Sequence, residues 1–267
     1  MSFTKFETLT NEMPGGKMTE EFVSRFKEYA ASFKGAGEFC DENIDLKVDH
    51  TLRVCSEMGR LCAAEKIPKH LADAAMHAAL LHDISRFSQF RASGNFNDAA
   101  SFDHGDRSAE IAAADGWVAE LDHRTAEAVL TAVCWHNKPS VPEDLSPDAM
   151  TLTKLIRDAD KLDIFNVLLT HLAHPDNPAV TFSLDPDAGV TPEIAAAIAE
   201  GRQVAHRDMR SAADFIAAKL LWPFDLNFTW SKREFLRRDY LGKLMKHLPD
   251  DPTLRGAADR AAAHCRG

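Results

Sequence analysis

Four histidines and two aspartates stand where a helical core would ordinarily hold apolar residues: His50, the adjacent pair His82 and Asp83, His104, His136 and Asp160. Each has a bland reading of its own. His50 sits at the edge of an apolar arc made by Val48, Leu52, Cys55 and Cys62, on the same face as Val54 and Leu61. A histidine there is usually a hydrogen-bonded core residue. His82 and Asp83 close a stretch whose small face runs through Ala75, Ala78 and Ala79. An acid at a helix C-terminus opposes the macrodipole, so another group has to stabilise it. Asp160 shares a stripe with Ile156, Ile164 and Val167, where an unpaired carboxylate costs several kcal/mol. His104 opens a predicted helix with Ser108 and Ile111 on its face, and His136 closes one behind Val129, Ala132 and Val133.

Taken together, these side chains are a metal-ligand set. Imidazole plus carboxylate suits Fe, Mn, Co, Ni or Zn, and the absence of cysteine from the set disfavours a structural zinc site. Six ligands exceed what one catalytic ion with open positions takes, and they match two ions bridged by a carboxylate. Cations lie close by in sequence. Arg86 follows Asp83 by one helical turn and is expected at the rim of the site; Lys161 follows Asp160, with Arg157 on its own helical face. Arg91 and Lys138 are further candidates, the bland reading of all being surface charge. Phe87 and Phe90, with Asn97 and Asp98, either shape a pocket or belong to the core. Asp163 is expected to orient Lys161 or a metal ligand.

Helices must position these groups. Apolar residues recur at three- and four-residue spacing, and strand-type alternation of Val, Ile and Thr is nearly absent. The pattern predicts helices over 18–34, 42–65, 68–83, 104–116, 123–137, 147–173, 191–204, 211–222 and 231–247. Breaks are expected at Pro68, Arg91–Asp103, Gly116, Lys138–Pro142 and Pro175–Pro192. Thr191 before Pro192 reads as an N-cap with proline at the first helical position. The expected architecture is all-α: an N-terminal helical extension (1–41), a metal-binding core (42–173) and a helical annex (174–267) packed on it as a single globular unit. Trp222, Phe224 and Phe228 are expected to plug the annex onto the core. His77, His123, His171, His174 and His206 fit no ligand pattern.

Composition narrows the function classes. The 267 residues carry a net charge of −10, a poor match for a general nucleic-acid binder, though a locally positive pocket for a small anion is compatible with it. No apolar run reaches membrane-spanning length, and the opening segment lacks a signal-peptide hydrophobic stretch. Five scattered cysteines, Cys40, Cys55, Cys62, Cys134 and Cys265, form no CxxC and point to a reducing cytoplasm.

The ordered set His50, His82–Asp83 in LHD, His104 in DHG, His136 in WHN and Asp160 in ADKLD resembles the HD superfamily of metal-dependent phosphohydrolases, in its binuclear subgroup. The likeness covers roughly 42–173. It implies an HD-type helical bundle in which His50, His82, Asp83 and Asp160 bind one ion, while Asp83 bridges to a second on His104 and His136. It further implies one or two divalent ions (Fe, Mn, Co, Ni or Zn, with Mg as an option) that clamp a phosphoryl oxygen and activate a bridging water. Arg86 and Lys161, with Arg91 and Lys138, would meet the charge on the phosphoryl oxygens. The chain lacks the GYP motif of the cyclic-dinucleotide phosphodiesterases, and Asn137 follows His136 where that branch usually pairs histidines. The residues following the HD pair and the final aspartate also differ from the alarmone hydrolases. The expected partner is a small phosphorylated, nucleotide-like substrate, with no general nucleic-acid or membrane binding and a homo-oligomer left open. Two rival readings use the same ligands: a mixed-valent di-iron oxygenase, and a catalytically silent binding module.

Overall fold

The computed structural model describes residues 19–173, 177–181 and 184–267; His174 and the start of the expected first helix lie outside the described residues. The fold is all-α, and no strand occurs among the described residues, where Asp185 and Ser211 form an isolated bridge. The chain divides into two compact units, Met1–Asp163 and Ile164–Gly267.

In the first unit the helices are α1 (Glu20–Ala31), α2 (Glu38–Ala64), α3 (Lys69–Leu81), α4 (Arg86–Ser93), α5 (His104–Ala114), α6 (His123–Trp135) and the start of α7 (Pro147–Ala173). Side-chain caps fix several of their starts. Thr19 accepts from the backbone of Phe22, Asp103 from Gly105 and Asp106, and Asp122 from Arg124 and Thr125. The cap at Asp103 makes His104 the first residue of α5. The ends matter as much. α3 stops at Leu81 and α6 at Trp135, so His82 and His136 are the residues that follow each helix, both still in right-handed helical conformation. Gly94 ends α4 with φ of 70°, a left-handed geometry that glycine adopts without steric cost.

α3 packs on α2 and α6, and α5 on α6. Its residues Ala74, Ala75, Ala78 and Ala79 are buried, so the small face lets neighbouring helices approach closely. Leu152, Leu155, Ile156 and Ala159 bury one stripe of α7. Phe26 and Phe87 meet with ring centroids 5.6 Å apart, and Phe90 is buried against Phe96. Phe87 and Phe90 are therefore core residues.

The second unit holds the rest of α7, then α8 (Pro192–Ala199), α9 (Ala212–Ala218), α10 (Thr229–Arg237), α11 (Tyr240–Met245) and α12 (Pro252–Arg266). Phe165 centres an aromatic cluster with Trp222, Phe235 and Tyr240, whereas Phe224 is exposed. Thr191 precedes α8 but makes no side-chain cap; its hydroxyl donates to the buried Asp214 instead.

Four stretches differ from the sequence pattern. The expected helix 231–247 is two helices, split where Asp239 takes φ of 51°. Residues Lys219–Asp225 tighten into a 3-10 helix containing Pro223, which cannot continue an α-helix ladder. α12 lies outside the pattern because two of the four residues of its buried stripe, Ala257 and Ala261 beside Leu254 and Cys265, are alanine and give little periodic contrast. Its start signals, Asp251 as N-cap and Pro252 at the first position, were present in the sequence. The break expected over Arg91–Asp103 begins only after Ser93, because α4, which is not among the expected helices, fills Arg86–Ser93; within the break lies a short 3-10 turn, Asp98–Ala100.

Candidate metal centre

Five elements of the first unit bring the six candidate ligands together. His50 comes from the middle of α2, His82 and Asp83 from the turn after α3, His104 from the start of α5, His136 from the end of α6 and Asp160 from α7. Ligand atoms of His50, His82 and Asp83, of His82, His136 and Asp160, and of Asp83, His104 and His136 each lie within 4.8 Å of one another. His50 Nε2 is 3.3 Å from His82 Nε2 and 3.2 Å from Asp160 Oδ1. His104 Nε2 is 3.1 Å from His136 Nε2 and 3.5 Å from Asp83 Oδ1. Asp83 Oδ2 is 3.6 Å from both His50 and His82, so its carboxylate spans the two histidine pairs.

The outward-facing nitrogens reveal the tautomers. His82 Nδ1 donates to the Ala79 carbonyl (2.8 Å) and His136 Nδ1 to the Val133 carbonyl (2.6 Å). A carbonyl only accepts, so both protons sit on Nδ1. These carbonyls belong to the last turns of α3 and α6, where helix oxygens lack partners within the helix. His50 Nδ1 donates to Asp163 (2.7 Å) and His104 Nδ1 to Asp98 (2.5 Å). With their Nδ1 protons turned away, all four imidazoles can aim Nε2 lone pairs inward at two carboxylates. Such a concentration of electron pairs suits a cation, and the outer partners orient the ligands as metal sites require.

Electrostatics agree with that reading. Burial disfavours charge on Asp83, yet its carboxyl is held far below the usual range by Lys47, His82, Arg86 and His104. Asp160 is likewise held down, against burial, by the neighbouring His50 and His82. Burial, then the charges of His104 and His82, push His136 well below the ordinary histidine value, which keeps it neutral and able to ligate. His50 moves the other way: burial and Lys47 oppose its protonation, but Asp160 and Asp163 together raise it.

The model of the HD domain family matches residues 48–165. That segment is an HD domain. It opens just before His50 and closes just after Asp163, so it contains every candidate ligand. Comparison with curated proteins and with solved structures gave no match.

Around the HD-domain cluster, the cations are arranged differently from the sequence expectation. Arg86 is buried, not at a rim. Its guanidinium binds Asp98 (2.7 Å), the Phe96 carbonyl and Gln89, and lies 3.3 Å from His104 Nε2. Asp98 thus orients both Arg86 and His104, and a pocket-lining role is not what its contacts describe. Lys138 is half-buried and ion-paired with Asp103 and Asp106 on α5. Arg91 is exposed on the last turn of α4, beside Phe39 and Cys40, and is not brought to the cluster. Lys161 is buried, its ammonium 3.5 Å from the Arg157 carbonyl. Arg157 itself points its guanidinium at the carbonyls of Trp135, His136 and Lys138, which closes the end of α6.

Two residues near the cluster escaped the sequence reading. Lys47 reaches Asp83 Oδ2 at 2.7 Å, and Arg53 grips both oxygens of Asp163 at 2.7 and 3.0 Å. Both stand three residues from His50 on α2. That spacing puts them beside it on the helix surface, the one signal that could have found them.

Proposed function

We propose that the HD domain hydrolyses phosphoester or phosphoanhydride bonds of a small, nucleotide-like substrate with the help of one or two bound divalent ions. The observation that carries this reading is the convergence of the imidazole Nε2 atoms of His50, His82, His104 and His136 with the carboxylates of Asp83 and Asp160. His50, His82, Asp83 and Asp160 are the residues to hold one ion, and His104 and His136, sharing Asp83, a second. The ions supply Lewis acidity at the phosphoryl group and lower the pKa of water.

The chain's own residues prepare the rest. Asp163, Asp98 and the carbonyls of Ala79 and Val133 hold the four imidazoles in ligating orientation. Arg86 keeps positive charge beside Asp83 and His104 without leaving its partners on α4 and the following loop. Lys161 places a second cation one residue beyond Asp160. Cations set beside the ligand carboxylates favour a substrate bearing phosphate. No helix among the described residues is long and apolar enough to cross a membrane. All five cysteines are free thiols, which supports a reducing, cytoplasmic setting.

Elemental analysis of the purified protein, followed by a phosphate-release screen over nucleotides with the bound metal supplied, tests the reading. Expected are one or two equivalents of a divalent transition metal and release that depends on it. Oxygen consumption with a di-iron electronic signature would replace hydrolysis with oxygenation. Metal-free protein that stays inert toward phosphoesters after reconstitution with Mn or Fe would leave a binding module.

A further inference from the structure

We infer that Lys47 is the side chain that grips the phosphoryl oxygens of the substrate, resting on the reading above that the site takes metal and a phosphate group. Four facts lead there. Lys47 Nζ stands 2.7 Å from Asp83 Oδ2, at the junction of the two histidine pairs. Among the described residues Asp83 is its one polar partner; its other neighbour is the face of Phe96, 5.1 Å from the ammonium. The side chain keeps 15% of its surface exposed, whereas that of Asp83 keeps 4%, so Lys47 borders solvent and Asp83 does not. Finally, its place three residues before His50 on α2 ties its backbone to a ligand-bearing turn.

The competition for Asp83 decides what Lys47 does. A divalent ion and an ammonium cannot both hold the same carboxylate oxygen without strong repulsion. Arg86 faces the same displacement at Oδ1, 3.5 Å away, but Asp98, Gln89 and the Phe96 carbonyl retain it. Lys138 likewise keeps Asp103 and Asp106. Lys47 alone of these three has no second anion to keep it, and its flexible four-carbon stem lets the ammonium move. The nearest source of compensating charge is then an anion bound at the metals, and a phosphoryl oxygen fits. Lys47 thus serves as counter-ion of the metal-free site and as substrate ligand of the loaded one.

Isothermal titration of inorganic phosphate into Mn-loaded wild type, Lys47→Met and Lys47→Arg tests this, with Mn affinity and thermal melting measured on each protein. Lys47→Met is expected to weaken phosphate binding about ten- to a hundredfold, the scale of one hydrogen bond to a charged group. Its Mn affinity should hold or tighten, because a competitor for Asp83 is gone. Lys47→Arg should restore most of the phosphate affinity. Unchanged phosphate binding by the Met variant overturns the inference, as does loss of Mn and phosphate together, which would mark Lys47 as structural. Lys47-dependent phosphate binding by a protein that hydrolyses no phosphoester would keep this inference and remove the hydrolase reading. Hydrolysis by wild type with phosphate affinity indifferent to Lys47 would do the reverse.

Discussion

His104 and His136 face each other with their Nε2 atoms 3.1 Å apart, while their Nδ1 atoms point away, to Asp98 and to the Val133 carbonyl. Two neutral rings in this arrangement offer two lone pairs to one point, and neither has a proton there to share. The same geometry recurs between His50 and His82, and Asp83 joins the two pairs.

Asp83 is therefore the residue whose loss should cost most. Asp83→Ala removes the shared carboxylate and leaves Lys47 and Arg86 beside an empty space. Metal content by elemental analysis and turnover should both vanish. Breaking a buried ion pair costs roughly 3–5 kcal/mol, so the denaturation midpoint of the metal-free variant should fall as well. Normal hydrolysis by this variant would exclude a bridging role.

Lys161 carries a different expectation. Lys161→Ala should keep its metal and lose rate, since the side chain is a cation near Asp160 and not a ligand. Metal analysis paired with kcat/KM separates the two; an unchanged kcat/KM would make Lys161 structural.

Asp163→Asn probes the support of a ligand rather than the ligand. Asp163 holds His50 Nδ1 and is itself clamped by Arg53. Replacing such a partner typically lowers metal affinity about 10–100-fold. Competition with a chelator of known affinity measures it, and an unaltered affinity would show that His50 needs no such anchor.

Acid should weaken the metal-free protein through His136. Burial and the charges of His104 and His82 put its folded pKa well below the ordinary 6.5. The unfolded chain then binds a proton below about pH 6.5 that the folded chain refuses, so this stabilisation is whole above that pH and lost as pH falls. His104 acts in the same direction, through burial and Arg86. His50, whose pKa is raised, has the opposite sign: its contribution is present at low pH and lost as pH rises. Thermal melting from pH 7 to pH 5.5 should show a falling Tm, with a shallower slope in His136→Asn.

Gly105 follows His104 and has no room for a side chain. A Cβ there would lie 2.4 Å from Asn137 Oδ1 and 2.7 Å from the Cys134 carbonyl. Gly105→Ala should force α5 and α6 apart at a cost of about 1–3 kcal/mol. A chemical denaturation curve checks this, and the variant should also lose affinity at the His104–His136 pair.

The candidate ligands and most helices of the first unit were legible along the chain because their signals are local. A carboxylate or imidazole on an apolar stripe is visible from its neighbours at three and four residues, as at Asp160 among Ile156, Ile164 and Val167. The alanine-rich α12 and the break at Asp239 were not, since small residues give little periodic contrast and one left-handed residue leaves no pattern.

By itself the sequence determined that the chain is helical and that four histidines and two aspartates have no comfortable place in a plain core. Tertiary structure alone decided which groups hold them. Lys47 meets Asp83 across 36 residues of chain, Arg53 meets Asp163 across 110, and Arg86 turns from a rim position to a buried clamp on Asp98. The physical reason is that charge pairing depends on distance in space. Helix periodicity sets the direction in which a side chain leaves its own helix, while packing against other helices sets what it reaches.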